Sequence, residues 1–277
     1  MLEHVTYCFP GGRHRAITLS YDDGKVWDRR LVDILNTHGL KATFNLNGGK
    51  FGRDSRINAN EVAELYAGHE VAAHSLTHPT LTRCPQEMLV QQIIDDRKRL
   101  EDLVGYPVRG FAYPNGQQNE RLSSLLPNLG IAYARSTVLT RQFTLPDARF
   151  AWHPTLHHRE DLLALGESFL HRDKPQHLDL LYIWGHSIDF ENEDNWQVIE
   201  TFARMAGRHA DIWYATNIDV IDYLDALDRL QFTADSSRVY NPSARSVWLR
   251  ADFVRTNGSA RHIVEVPGGA RIDLQQR

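Results

Sequence analysis

Short apolar or β-branched runs alternate along this chain with longer stretches of helical spacing. The runs fall at 16–21, 42–47, 70–74, 108–113, 131–134, 180–184 and 211–215, and each predicts a strand. Between them, "DRRLVDILNTHG" and "PQEMLVQQIIDDRKRLEDLVG" place apolar residues three and four apart and close on Gly39 and Gly105, as helix C-caps do. "DLLALGESFLHR" and "NWQVIETFARMAGRH" read as two more helices. Strand–helix alternation of this kind predicts a mainly parallel sheet covered by helices. About seven units over some 230 residues favour a distorted (β/α) barrel over an open doubly wound sheet.

The pattern changes after "DYLDALDRLQ". Alternating runs at 246–252 and 261–266, with turn signals at Asn257-Gly258 and Gly268-Gly269, predict a small antiparallel β appendage. The expected division is a catalytic barrel over 1–231 and the appendage over 232–277. Trp248 in that tail is either a core aromatic or a carbohydrate contact.

Composition narrows the classes. The 277 residues are 42% hydrophobic and 24% charged, with a formal net charge of −4. No basic surface argues for nucleic acid or an anionic membrane, and neither is expected as a partner. No stretch approaches 18 apolar residues, so no transmembrane helix is expected. The start "MLEHVTYCFPGGRHRA" lacks a secretory h-region, which predicts a cytoplasmic protein. Two cysteines, Cys8 and Cys84, and no CxxC exclude a disulfide framework and a thiolate zinc site. No glycine-rich phosphate loop follows the first strand. The 14 histidines are numerous and partly clustered, a pattern that favours metal binding.

Chemistry concentrates in two stretches. "AITLSYDDGKVWD" ends an apolar strand in adjacent carboxylates, Asp22 and Asp23, followed by Gly24. "HEVAAHSLTHPTL" carries His74 and His78, four apart, a spacing that puts both imidazoles on one face of a helical turn. Both follow a predicted parallel strand, so both belong on the rim formed by strand C-terminal ends. Two imidazoles and one of the carboxylates make a three-ligand site for a divalent ion. The other carboxylate is then free to act as a general base. The cation offsets the repulsion between the two acids.

These residues resemble the polysaccharide deacetylases, also called carbohydrate esterase family four. "SYDDG" and "HSLTH" look like the first two motifs of that family, and "ATFNLNGG" looks like its second strand. "RKRLEDLVGYPVRGFAYPNG" is similar to the helix and strand of the third motif, and "LYIWGHSID" to the strand bearing a late histidine. The similarity runs over about 14–225. It implies a distorted (β/α) barrel that removes acetyl groups from acetylated sugars with one divalent metal, expected to be zinc. It makes Asp22 the catalytic base, Asp23, His74 and His78 the metal ligands, and His186 the general acid. The backbone N–H around Asn115 would hold the oxyanion, with Tyr113, Trp152 and His157 as further oxyanion or substrate contacts.

The chain departs from the family in two places. Many members carry Arg and Tyr in the third motif, where this chain has Ala112 and Asn115. The base thus loses its usual Arg partner, and Arg109 or Arg135 could replace it only from elsewhere. No fourth motif is evident, and its region holds "FAWHPTLHHRED", with Trp152, His153, His157 and His158. The expected function is therefore a metal-dependent deacetylase of an N-acetylated sugar or oligosaccharide, of unknown oligomeric state. The alternatives are an amidohydrolase of a non-sugar amide and an inactive carbohydrate-binding relative.

Overall fold

The computed structural model describes residues 2–255 and 258–276. Strand β1 (Leu2–Cys8) precedes β2 (Arg15–Asp22), helix α1 (Asp28–His38) and β3 (Ala42–Leu46). Next come α2 (Val62–Leu65), β4 (Glu70–Ala73), α3 (Gln86–Val104) and β5 (Gly110–Ala112), then α4 (Glu120–Leu125) and β6 (Tyr133–Arg135). The central part continues through β7 (Leu156–His157), α5 (Leu162–Leu170), β8 (Asp179–Gly185), α6 (Ser187–Asn192) and α7 (Trp196–Ala206). After β9 (Ile212–Tyr214) and α8 (Asn217–Asp228) lie β10 (Gln231–Phe232), β11 (Arg238–Tyr240), β12 (Val247–Arg255), β13 (Gly258–Val266) and β14 (Arg271–Asp273). All seven expected strands are present. β1 and the two-residue β7 were not expected, because neither shows a clean period.

Seven parallel strands form one curled sheet in the order β6-β5-β4-β3-β2-β8-β7, with β9 beside the start of β2. This is the expected distorted (β/α) barrel. β6 and β7 end the sheet, and the segment at Trp152 bridges toward β6: its N–H donates to Ala134 O, and its carbonyl accepts from Ser136 N–H.

Strand β2 shows how the fold builds toward the site. It is buried on both faces. Ile17, Leu19 and Tyr21 pack in the helix-side cluster with Leu31, Val32 and Leu35 of α1. The opposite face reads Ala16, Thr18, Ser20, Asp22 and grows more polar toward the strand's end. Its polar groups are satisfied in turn: Thr18 donates to Asn217 Oδ1 at 2.8 Å, while Asn45 donates to Ser20 and to Asp22, both at 2.8 Å. Helix α3 repeats the device. Its buried stripe is Leu89, Ile93, Asp96 and Leu100, and the single acid in it reaches the site.

The tail forms two small antiparallel sheets. One has the order β1-β12-β13 and the other β10-β11-β14. Strand β1, placed with the barrel by the 231/232 division, pairs with β12 from Leu2↔Phe253 to Cys8↔Trp248. Val247, Leu249, Val264 and Val266 share a core with Val220, Tyr223 and Leu227 of α8. Tyr223 pins the junction, donating to Cys8 O and accepting from Trp248 N–H. Trp248 is half-buried against Tyr223. The turn signal at Asn257 lies outside the described residues.

One buried carboxylate ties the strands to α8. Glu70 accepts from Thr43 Oγ1 at 2.7 Å, Tyr133 Oη at 2.8 Å and Ile218 N–H at 2.8 Å. Burial outweighs these donors and raises its pKa to about 7. Glu70→Leu strands three buried donors and should cost about 3 kcal/mol or more, read as a fall in denaturant midpoint. Because the folded pKa lies above the unfolded one, Glu70 contributes most below its unfolded pKa of 4.5 and loses that contribution as pH rises through about 7. The stability of wild type relative to Glu70→Gln should therefore fall between pH 5 and pH 8. A difference that does not change with pH would refute this.

Candidate active site

The expected residues converge at the C-terminal ends of the strands. Asp22 is the last residue of β2, His74 follows β4, Arg135 ends β6 and His186 follows β8. Asp23 sits at φ +80°, Ser75 at +63° and His78 at +62°. Three non-glycine residues in the left-handed region within one site indicate backbone held against its preference by the surrounding structure. This corrects the helical reading of His74 and His78. Residues 74–79 form a bend, not a helical turn, and Ser75 Oγ accepts from His78 N–H at 3.1 Å to close it. The loop still brings the two rings together, with centroids 4.8 Å apart.

Asp23, His74 and His78 each offer a donor atom within 4.8 Å of the others. His74 Nδ1 lies 2.8 Å from Ala112 O, so that nitrogen carries the proton and donates. Its Nε2 is left with a lone pair for an ion. Burial pushes His74 down to about 4 and lowers His78 too, despite the nearby acids. Neutral imidazoles and an ionised carboxylate are the protonation states a divalent cation requires, so the donor set fits a metal. Asp96 fixes the backbone here, accepting from Gly48 N–H at 2.6 Å and His74 N–H at 3.0 Å. Arg56 donates to Asp23 Oδ1 at 3.0 Å.

Asp22 is 3% exposed. Burial alone would raise its pKa, but Arg135, His74 and His186 outweigh that and hold it near 2. Arg135 Nη2 donates to Asp22 Oδ2 at 2.5 Å, and its guanidinium lies over the Trp184 ring at 4.5 Å. The vacancy at Ala112 is thus filled from the next strand. Arg109, the other candidate, pairs with Asp222 instead.

His186 turns Nδ1 toward Asp189 Oδ2 at 3.3 Å. Burial lowers its pKa, but Asp189, Asp22 and Asp23 outweigh this and the net shift is upward. Asp189 also receives His157 Nε2 at 3.6 Å, His158 Nε2 at 3.4 Å and Arg159 Nη2 at 3.0 Å. His157, His158 and Asp189 also meet the distance criterion for a metal. However, His157 Nδ1 accepts from Arg159 N–H at 3.1 Å, so in the neutral ring Nε2 carries the proton and has no lone pair for an ion. This cluster gathers three imidazoles and one guanidinium around a single carboxylate.

The remaining expected residues divide. Asn115 is exposed at φ +59°, its side chain donates to Thr80 Oγ1 at 3.1 Å, and it lies beside the loop of His78. His157 stands at the rim, edge-on to Trp184. Tyr113 and Trp152 are corrected. Tyr113 is 1% exposed, with its hydroxyl committed to Phe150 O at 2.6 Å. Trp152 is equally buried between Tyr133 and Tyr182, where it closes the barrel. Neither side chain is free for substrate. Sequence reading missed Asp189, Asp96 and Arg56, whose roles depend on contacts between distant segments.

The polysaccharide deacetylase family profile matches residues 10–134. Over that stretch, less than half of its length, the chain is similar to the polysaccharide deacetylases. It is 31% identical over 122 residues to the peptidoglycan-N-acetylglucosamine deacetylase of Bacillus cereus, 42% of each chain. It is 27% identical over 136 residues to the chitooligosaccharide deacetylase of Sinorhizobium fredii, 47% of this chain and 61% of that one. The matches thus span less than two thirds of these relatives' own length. A Mycobacterium smegmatis structure provisionally described as a polysaccharide deacetylase shares the fold at a TM-score of 0.62 and 15% identity, over 82% of this chain and 96% of that one. A family 4 acetyl xylan esterase from Clostridium thermocellum, in complex with cobalt, follows at 0.51 and 16% identity, over 75% and 91%.

Arg135 sets the electrostatics of this site. In Arg135→Gln the counter-charge to Asp22 is gone, so the acid limb of any Asp22-dependent activity should move up by about one pH unit or more. An unmoved limb in a folded variant would show that Arg135 does not hold Asp22 ionised.

Proposed function

We propose that this protein is a metal-dependent hydrolase that removes the acetyl group from an N-acetylated sugar or oligosaccharide. The observation that carries the reading is Asp22, kept ionised by Arg135 beside a three-donor cluster, with a His186 biased toward its charged form. A bound divalent ion would polarise the acyl oxygen and lower the pKa of a nearby water. Two imidazoles and a carboxylate suit zinc, which we take as the metal.

Each residue has a distinct task in this reading. Asp22 takes a proton from the attacking water, its orientation fixed by Asn45 and Arg135. The N–H of Asn115 stabilises the charge developing on the acyl oxygen. His186, protonated through its bond to Asp189, gives its proton to the departing nitrogen. An amine is a poor leaving group until protonated, so an amide substrate gives His186 a reason to be held charged. The relatives named above act on N-acetylglucosamine in peptidoglycan and on chitooligosaccharides, which favours an acetamido sugar here.

The test is acetate release from N-acetylglucosamine oligomers by zinc-loaded protein. Asp22→Asn should keep its zinc and lose turnover by about 10²–10⁴-fold. His74→Ala and His78→Ala should instead lose the zinc itself, measured by metal analysis after dialysis. Near-normal turnover in Asp22→Asn, or full zinc content in both histidine variants, would overturn the assignment.

A further inference from the structure

A cavity of about 1050 Å³ lies between the barrel and the terminal sheet, away from the residues discussed above. It opens beside Asp179, the first residue of β8, whereas the site lies beyond the last, Gly185. Six residue steps along a strand separate the two by about 20 Å. Four segments wall it: β1, the 141–147 stretch, the 172–178 loop and β10.

These walls are anchored. Leu180 N–H donates to Phe143 O at 3.0 Å, and Arg250 from β12 donates to Pro175 O at 3.0 Å. The two arginines that line the cavity are both committed. Arg172 pairs with Asp179 at 2.5 Å and sits over Phe143, and Arg141 pairs with Glu160. Two guanidiniums neutralised within the protein give an anion little to bind.

Apart from Asp147 and His177, the lining that is left is uncharged or aromatic. The amides of Gln142 and Gln176 and the hydroxyl of Thr144 enter no side-chain hydrogen bond among the described residues. Tyr7 is 46% exposed, and Phe232 of β10 also lines the cavity. Amides and hydroxyls beside flat aromatic faces match a neutral, polyhydroxylated ring. The volume is at the upper end of ordinary ligand pockets, roughly 300–1,000 Å³, which suits several linked rings.

We propose that this cavity is a second binding site for a neutral oligosaccharide, remote from the chemistry, which holds long substrates on the enzyme. The choice of sugar rests on the acetamido-sugar reading above. Two linked sites raise the effective concentration of a long chain at the catalytic rim and do nothing for a short one.

The experiment compares N-acetylglucosamine dimer and hexamer as substrates for wild type and for Tyr7→Ala/Gln176→Ala. The KM for hexamer should rise by about tenfold in the variant, the loss of one stacked ring, with kcat and the dimer kinetics unchanged. Calorimetry of hexamer binding to each protein should show the same loss. An unchanged hexamer KM and affinity in the variant would overturn the proposal while leaving the deacetylase reading intact. Absence of acetate from both oligomers would overturn the deacetylase reading instead. Calorimetry then decides the cavity: hexamer binding that the variant loses supports it, and no binding to wild type refutes it. Should Tyr7→Ala fail to fold, Gln176→Ala alone, on an exposed loop, carries the same comparison with a smaller shift.

Discussion

The site depends on one buried charge pair. Asp22 is almost inaccessible, and an ionised carboxylate in that position is untenable unless a cation meets it. Arg135 meets it from a different strand, with the guanidinium pressed between Asp22 and the face of Trp184. The pair spans the sheet, joining β2 near its centre to β6 at its edge. The same contact that keeps the acid ionised therefore helps curl the sheet. Loss of either partner would leave an uncompensated charge in the interior, so the two are coupled more tightly than a surface ion pair.

Around that pair the backbone is held where it would not rest by itself. Asp23, Ser75 and His78 all take left-handed torsions. Asp96 supplies part of the restraint, since its two oxygens hold the N–H groups of Gly48 and His74. A carboxylate on a long, well-packed helix thus fixes the direction in which a strand-end histidine leaves the sheet. Asp28 does the same for the other side of the site, accepting from Tyr66 and from Ser187, the residue after His186. Pre-set geometry of this kind spares the site reorganisation when substrate and metal arrive.

Much of this was legible in the sequence, because it was written locally. The strands β2, β3, β4 and β8 are apolar runs with clear ends, and α1 and α3 stop at glycines in the left-handed conformation, Gly39 and Gly105. The adjacent acids and the paired histidines stood out by spacing. The errors have a common cause. The spacing of His74 and His78 predicts a helical turn because spacing alone cannot tell such a turn from a bend closed by Ser75. Trp152 and Tyr113 read as substrate contacts because an aromatic near a motif looks the same whether it faces a groove or closes a barrel. Arg135 and Arg56 reach their acids across 113 and 33 residues, and Asp189, though only 3 residues from His186, gathers His157 and His158 from before α5. Strand β1 pairs with β12 at the far end of the chain, a partnership that no local pattern announces.

The histidines show how burial alone does not decide charge. His74 and His186 are both removed from water, and desolvation pushes both toward the neutral form. Their net shifts run in opposite directions, His74 downward and His186 upward. His74 donates through Nδ1 to a neutral carbonyl, and the attraction of Asp22 and Asp23 does not overcome its burial, so the ring is left neutral with a lone pair. His186 turns Nδ1 to Asp189, an acid held well below the usual carboxylate range by the imidazoles around it. A charge on the ring is then met by a charge on its partner. The choice of partner, carbonyl or carboxylate, makes one imidazole fit to bind a cation and the other fit to release a proton. Asp22 feels both rings and stays ionised, so the titrations of all three groups are coupled within one small volume.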